Sequence, residues 1–250
     1  PNGESGPPSP VRAAARDHGV TVRTNAVVSH LLVGTGGKVT GVAFVDRLSK
    51  AKTEVRAKTV ALCASTLEST RILLNSRSPQ HPDGIGNSSG TLGRYLMDHP
   101  ALYVSGFLPG KRDEAWTDGG GGPKNIMIPR FHNLQNSASG DFLRGYGIFG
   151  GIGRHTIGEN DPSRGGPDEV PFTLVAYGEM LPRPENRVTI RPNQLDAWGI
   201  PTLNIECALA ANEHAMRAHM VASFEDMVQA AGGRMSAPPH YFAPGAFVHE

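Results

Sequence analysis

Cysteine is nearly absent. Only Cys63 and Cys207 stand among 250 residues, which excludes a disulfide framework and a cysteine-rich zinc site. No apolar run approaches the roughly eighteen residues that a membrane-crossing helix needs. Neither sign of charge dominates: Lys+Arg 24 against Asp+Glu 23 leaves a net charge of +1. The basic footprint of a nucleic-acid binder is therefore missing. Neither H-x-x-x-H nor H-E-x-x-H occurs, and His214 and His219, five apart, do not share a helix face as metal ligands would. No initiator Met, apolar leader or internal repeat is present, and the chain reads as a piece of something larger.

What is present suits a folded, loop-rich protein. The chain is 38% hydrophobic and 19% charged, enough to bury a core. Gly 31 and Pro 20 argue for sheet and loops over a helical bundle. Val11 to Arg16 reads as a short helix. His18 to Thr24, Ala26 to Val33, Lys38 to Asp46 and Thr53 to Ala57 read as strands, a small meander with a Gly-rich hairpin at Gly34-Thr35-Gly36-Gly37. Thr59 to Ala64 is continuously apolar, as a strand covered on both faces should be. Ser65-Thr66-Leu67-Glu68 follows as an S-x-x-E capping box, opening a helix to about Arg77. Strand, tight turn and capped helix is the unit of nucleotide-binding sheets, and equally of ordinary α/β joints.

From Ala101 the pattern changes. Six strand candidates, Ala101–Leu108, Asn125–Phe131, Tyr146–Ile152, Val170–Met180, Arg187–Arg191 and Thr202–Glu206, predict an antiparallel sheet. The longest loop, Asp113 to Pro123, carries Gly119 to Gly122 and is expected to be mobile. Asn212 is a good N-cap for a last helix over 212–231, with Met216, Met220, Phe224 and Val228 on one face and Gly232-Gly233 at its end. The fold class is α/β plus α+β: a partial nucleotide-binding unit over 1–99 and an antiparallel-sheet unit over 100–250.

Two motifs compete for attention. Gly145-Tyr146-Gly147-Ile148-Phe149-Gly150 matches G-x-G-x-x-G but reads as strand, without the helix a dinucleotide fingerprint requires. Gly86-Asn87-Ser88-Ser89-Gly90 matches the G-x-S-x-G elbow, making Ser88 a candidate hydrolase nucleophile with Asp98, His99 or His249 as partners. The preceding His81-Pro82-Asp83-Gly84 cannot be the buried strand such an elbow needs. His99, at the junction of the two expected units, is a candidate on the substrate side; a histidine bonding a backbone carbonyl is the plainer reading.

Four segments, in order and spacing, resemble the glucose–methanol–choline (GMC) flavoprotein oxidoreductases. Thr59 to Ser76 is similar to that family's strand–turn–helix. Ile85 to Pro100 matches its Asn–Gly–Leu–Asp–His segment at Asn87, Gly93, Leu96, Asp98 and His99. Pro184 to Leu203 resembles its Asn-Arg-Val-x-Leu strand with Asp-x-x-Gly-x-Pro, and Pro244 to Glu250 the start of its His-x-x-Gly segment. Ile128–Phe131 and Phe142–Gly147 are nearer the branch acting on sugars, sugar acids and glycosides.

The resemblance implies a Rossmann-like FAD-binding unit and an antiparallel, helix-bearing unit that covers the flavin ring. Hydride passes from an alcohol or sugar CH–OH group to FAD while a histidine takes the hydroxyl proton. It places Ala26 and Val27 against the adenine, Ala64 and Ser65 at the turn near the ADP portion, and His99 on the substrate side. The G-x-G-x-x-G cradle is expected upstream of Pro1 and the catalytic base beyond Glu250. The 250 residues alone are accordingly expected to hold no stable FAD and to show no turnover. The electron acceptor is oxygen, a quinone or a cytochrome; no metal is implied. The rivals are a serine hydrolase using Ser88, a β-rich carbohydrate-binding module over 101–206, and another two-unit flavoprotein such as an aromatic hydroxylase.

Overall fold

The computed structural model describes residues 10–110, 124–129, 140–152, 165, 166 and 168–245. The expected Asp113–Pro123 loop and the segment from Ala246 to Glu250 lie outside them. The chain divides into two units, 1–92 with 189–204, and 93–188 with 205–250. The expected division fell after residue 99.

The first unit opens with α1 (Pro10–His18), where proline occupies a helix start that needs no N–H from it. A three-stranded antiparallel meander follows: β1 (Ala26–Val33), β2 (Val39–Asp46) and β3 (Lys52–Arg56), in the order β1-β2-β3. Gly41 in β2 has to be glycine, because a Cβ there would land on the Val55 carbonyl of β3. Helix α2 (Ser65–Asn75) buries Leu67, Ile72 and Leu74.

Two expected strands are absent, and the reason is common to both. Residues 19–24 carry no strand, and Val20 and Val22 are exposed. Thr59 to Ala64 forms no regular element and pairs with nothing described; Thr59, Ala61 and Cys63 are exposed, and Val60, Leu62 and Ala64 half-buried. A strand is defined by its neighbour's hydrogen bonds, and no described strand runs beside either segment. The capping box does not form either. Glu68 turns to Arg71, whose Nε and Nη2 donate to its Oε2 at 2.8 and 2.5 Å.

The second unit is built on a six-stranded antiparallel sheet. Its strands are β4 (Ala101–Pro109), β5 (Lys124–Pro129), β6 (Tyr146–Ile152) and β7 (Glu169–Gly178), with short β10 (Arg234–Met235) and β11 (His240–Tyr241), both paired to β4. The order is β10-β4-β7-β6-β5. Strands β8 (Arg187–Leu195) and β9 (Pro201–Glu206) form a separate two-stranded ladder. Helix α3 (Ala211–Ala230) lies across one face of the large sheet. Its Met216, Met220, Phe224 and Val228, at helical spacing, bury against Leu102, Val104, Ile148, Phe172, Leu174 and Ala176. The even positions of β7 point inward and the odd ones outward, the alternation of a one-sided sheet.

Helix α3 starts two residues earlier than Asn212 predicts. Ala210 is the N-cap, and Glu213 supplies the cap by accepting the Ala210 N–H at 2.8 Å. Asn212 instead accepts the Leu143 N–H at 2.7 Å. The helix ends as expected, with Gly232 at φ 68. No helix among the described residues is long and apolar enough to cross a membrane.

Candidate functional site

In the first unit, α2 and β1 run in the same sense. Arg71 Nη2 donates to the Val28 carbonyl at 3.2 Å, and Leu31 N donates to Ser76 Oγ at 2.7 Å. The pairing advances along both elements together, so their starting ends lie at one end of the unit. Ala26 and Val27 are at the start of β1; Ala64 and Ser65 are at the start of α2.

Three features of this helix suit a nucleotide, two at its start and one further along. Ala64 caps α2 without a side-chain hydrogen bond, so the first-turn N–H groups keep their donors. Ser65 sits in left-handed backbone at φ 61, a conformation glycine adopts freely. Arg71 is 6% exposed, and its Nη1 has no acceptor among the described residues. Replacing Ser65 by glycine relieves the backbone and is expected to stabilise the unit by about 1 kcal/mol, read as a higher urea midpoint at unchanged slope.

Arg71 is the residue that sequence reasoning missed. The signal was an arginine at helical spacing between Leu67 and Leu74, on the face those leucines bury. It clamps α2 to β1 through Glu68 and Val28 O. The Glu68 side chain is 42% exposed, so its charge stays solvated when the guanidinium is removed. Arg71→Met should therefore cost only about 1–2 kcal/mol, most of it the lost partner of the Val28 carbonyl. Arg71→Lys should rescue little, because one ammonium cannot serve both acceptors in the same geometry; urea unfolding of the two variants checks both expectations.

In the second unit, His99 is exposed and its Nδ1 lies 2.9 Å from the Gly178 carbonyl. A carbonyl only accepts, so Nδ1 carries the proton and donates. The plainer reading of this residue describes its bond correctly. The ring also meets Tyr177 edge-on at 5.9 Å, and Tyr177 meets Phe149 at 6.1 Å. Tyr177 and Phe149 belong to the sheet face opposite α3. Across that face Tyr103, Val175, Phe149 and Met127 stand in register on β4, β7, β6 and β5. Phe149 is 40% and Met127 66% exposed.

The other residues that carried the resemblance hold turns. Asn87 accepts the Leu92 N–H and donates to the Asp83 carbonyl. Asn186 is buried and bonds Ala208 in both directions, accepting its N–H at 2.9 Å and donating to its carbonyl at 3.1 Å. Asp98 is buried and accepts the Gly245 N–H at 2.7 Å. Ser88 sits in consecutive turns with no strand before it and no helix after it, so the nucleophile elbow does not form. Gly145 to Gly150 runs into β6 rather than a helix start. Among the described residues no group of three or more His, Cys, Asp or Glu could hold a metal.

Comparison with known proteins bears on the same segments. Residues 9–101 match the family described as GMC oxidoreductase. The chain is 27% identical to 2-methyl-1,2-propanediol dehydrogenase of Mycolicibacterium austroafricanum, over 91% of this chain and 44% of the relative. It is 28% identical to the fructose dehydrogenase large subunit of Gluconobacter japonicus, over 92% and 43%. It is 27% identical to paromamine 6'-oxidase of Streptomyces fradiae, over 85% and 38%. The chain thus spans less than half the length of the curated relatives it matches.

Proposed function

Over residues 9–101 this chain belongs to the GMC oxidoreductases, and on that premise we propose that the protein oxidises an alcohol, a sugar or glycoside CH–OH group, with FAD as its cofactor. The observation that supports the reading is that β1 and α2 run in the same sense, so that Ala26–Val27 and Ala64–Ser65 both stand at the starting ends of their elements.

The FAD, when bound, supplies the hydride acceptor. The chain's own residues bind and orient. The backbone of Ala26 and Val27 takes the adenine side. The Ala64–Ser65 turn, with the bare N–H groups of α2, takes the ADP portion, where a helix start favours negative charge. In this reading Gly19–Thr24 and Thr59–Ala64 are sheet strands of a Rossmann-like unit whose partners belong to the rest of the protein. Their exposed Val/Thr and apolar side chains support it, since such residues are otherwise unfavourable at a surface. The second unit takes the substrate side. Its sheet face opposite α3 offers Phe149 and Tyr177, with His99 beside Tyr177. The sugar preference is supported by the names of two relatives, a fructose dehydrogenase subunit and a paromamine oxidase.

The test uses the complete reading frame that contains these residues. It should purify yellow, with one FAD per chain, and the colour should bleach on anaerobic addition of a sugar or simple alcohol. A colourless protein, or a flavin that no alcohol reduces, overturns the proposal. The 250 residues alone are expected to stay colourless after FAD is added and removed by gel filtration. Labelling of Ser88 by a fluorophosphonate would support the hydrolase instead.

A further inference from the structure

Gly147 has no structural reason to be glycine. It lies inside β6, where a residue without a side chain weakens the strand. Its backbone is not left-handed, and its pairing with Pro129 and Tyr177 runs without a bulge. A Cβ there would meet no neighbouring backbone among the described residues. It would meet only the Phe149 ring, Cε2 at 3.1 Å and Cζ at 3.4 Å. A glycine inside a strand that serves neither a bulge nor a close backbone marks a place where a ligand approaches. What Gly147 does is seat Phe149: the ring leans over it toward Tyr177, which it meets edge-on at 6.1 Å.

The face around Phe149 changes character along β7. Phe149 stands in register with Val175 on one side and Met127 on the other, and neither side chain offers a donor or a strong acceptor. Phe149 is 40% and Met127 66% exposed, so this row is open to a ligand. One step along β7 in one direction is Thr173; one step in the other is Tyr177. Beyond Tyr177 lies the exposed His99 ring. Its Nδ1 is spent on the Gly178 carbonyl, so Nε2 of the neutral ring accepts a hydroxyl.

The two ends of this strip suit different chemistry. A sugar ring on the Phe149 row would lose water from its hydroxyls where no side chain replaces it. An apolar ring loses nothing there, and it gains an edge-to-face or stacked contact with Phe149. At the His99 end a hydroxyl has an acceptor waiting.

We propose that Phe149, seated by Gly147, selects glycosides that carry an apolar aglycone. This rests on the reading that the face takes the substrate side. The sugar bearing the CH–OH group lies toward Tyr177, with one hydroxyl donating to His99 Nε2. The aglycone, joined to the sugar through one oxygen, follows onto Phe149 and Met127. A free sugar leaves that row empty.

The complete protein with its FAD is mixed anaerobically with methyl and phenyl β-D-glucoside and β-D-galactoside, and flavin bleaching is followed by stopped flow. The phenyl glycosides should half-saturate at a concentration at least tenfold below their methyl counterparts. Phe149→Leu should shrink that preference at least fivefold and Gly147→Ala at least threefold, whereas Phe149→Tyr should keep it. Flavin content and melting temperature identify the variants that fold; Phe149 is half-exposed, so its leucine variant decides if Gly147→Ala does not fold. Equal half-saturation by phenyl and methyl glycosides overturns the proposal. So does an undiminished preference in either folded variant. Glycosides that leave the flavin oxidised, when a free sugar or simple alcohol bleaches it, overturn this inference alone. A flavin that no alcohol reduces overturns the reading beneath it.

Discussion

Replacing Glu213 by leucine lowers the unfolding free energy of the second unit by about 4 kcal/mol. The carboxylate is fully buried and accepts N–H groups from Leu181 at 3.0 Å and Ala210 at 2.8 Å, and the Asn212 amide at 3.1 Å. Leucine fills the space but leaves two backbone donors without acceptors, at roughly 1–3 kcal/mol each. A fall in melting temperature of roughly 10 °C follows for a chain of this size, and calorimetry measures it. Burial by itself would raise the Glu213 pKa. The Leu181 and Ala210 N–H groups and the Asn212 amide outweigh it, and the net pKa lies below the ordinary 4.5. A depressed folded-state pKa stabilises fully above the unfolded value and is lost as pH falls through the folded one. Acid unfolding of the parent should therefore steepen below about pH 4.5. Glu213→Gln should be less stable at pH 7 and lose less between pH 5 and 3. An identical acid slope in the two proteins would show that Glu213 carries none of it.

Gly150→Ala should cost about 3 kcal/mol or more, whereas Gly147→Ala, three residues earlier on the same strand, should cost under about 1 kcal/mol. A Cβ on Gly150 would fall on the Thr173 carbonyl oxygen and 2.8 Å from Leu174 Cα, both backbone of β7. Strand β6 would have to move away from β7. A Cβ on Gly147 meets Phe149 Cε2 at 3.1 Å, the edge of a half-exposed ring that can turn aside. Paired urea titrations decide; equal costs would show that the strand spacing is softer than its hydrogen bonds suggest. The comparison also gives the G-x-G-x-x-G match its physical meaning: Gly150 is there so that two backbones can approach, not to face a phosphate.

Most of the architecture was legible from periodicity. The apolar spacing of Met216, Met220, Phe224 and Val228 announces α3, and the alternation of β7 announces a one-sided sheet. Thr59 to Ala64 misled because an apolar run reports burial in the protein's final environment, while strand formation requires a particular neighbour. The Ser65–Glu68 capping box misled because Arg71, one turn on, offers Glu68 two charged donors, a stronger partner than one N–H. Asn212 lost the cap of α3 to Glu213 for a related reason: its amide is held by Leu143. The candidate site was legible only through resemblance, residue by residue. The guanidinium that ties α2 to β1 at Val28 was invisible, because a single arginine in a helix is ordinarily a solvated one.

The β8–β9 ladder has a consequence for dissecting this protein. Residues 189–204 belong with the first unit although the chain on either side belongs with the second. Neither unit is a contiguous stretch, so no pair of gene boundaries can excise one intact. A clone ending at residue 92 would leave behind Trp198 and Ile200, which help line the wall of Phe44. A clone starting at 93 would carry a hairpin tip with nothing to rest on. Split halves should be poorly soluble when made apart and recover when co-expressed.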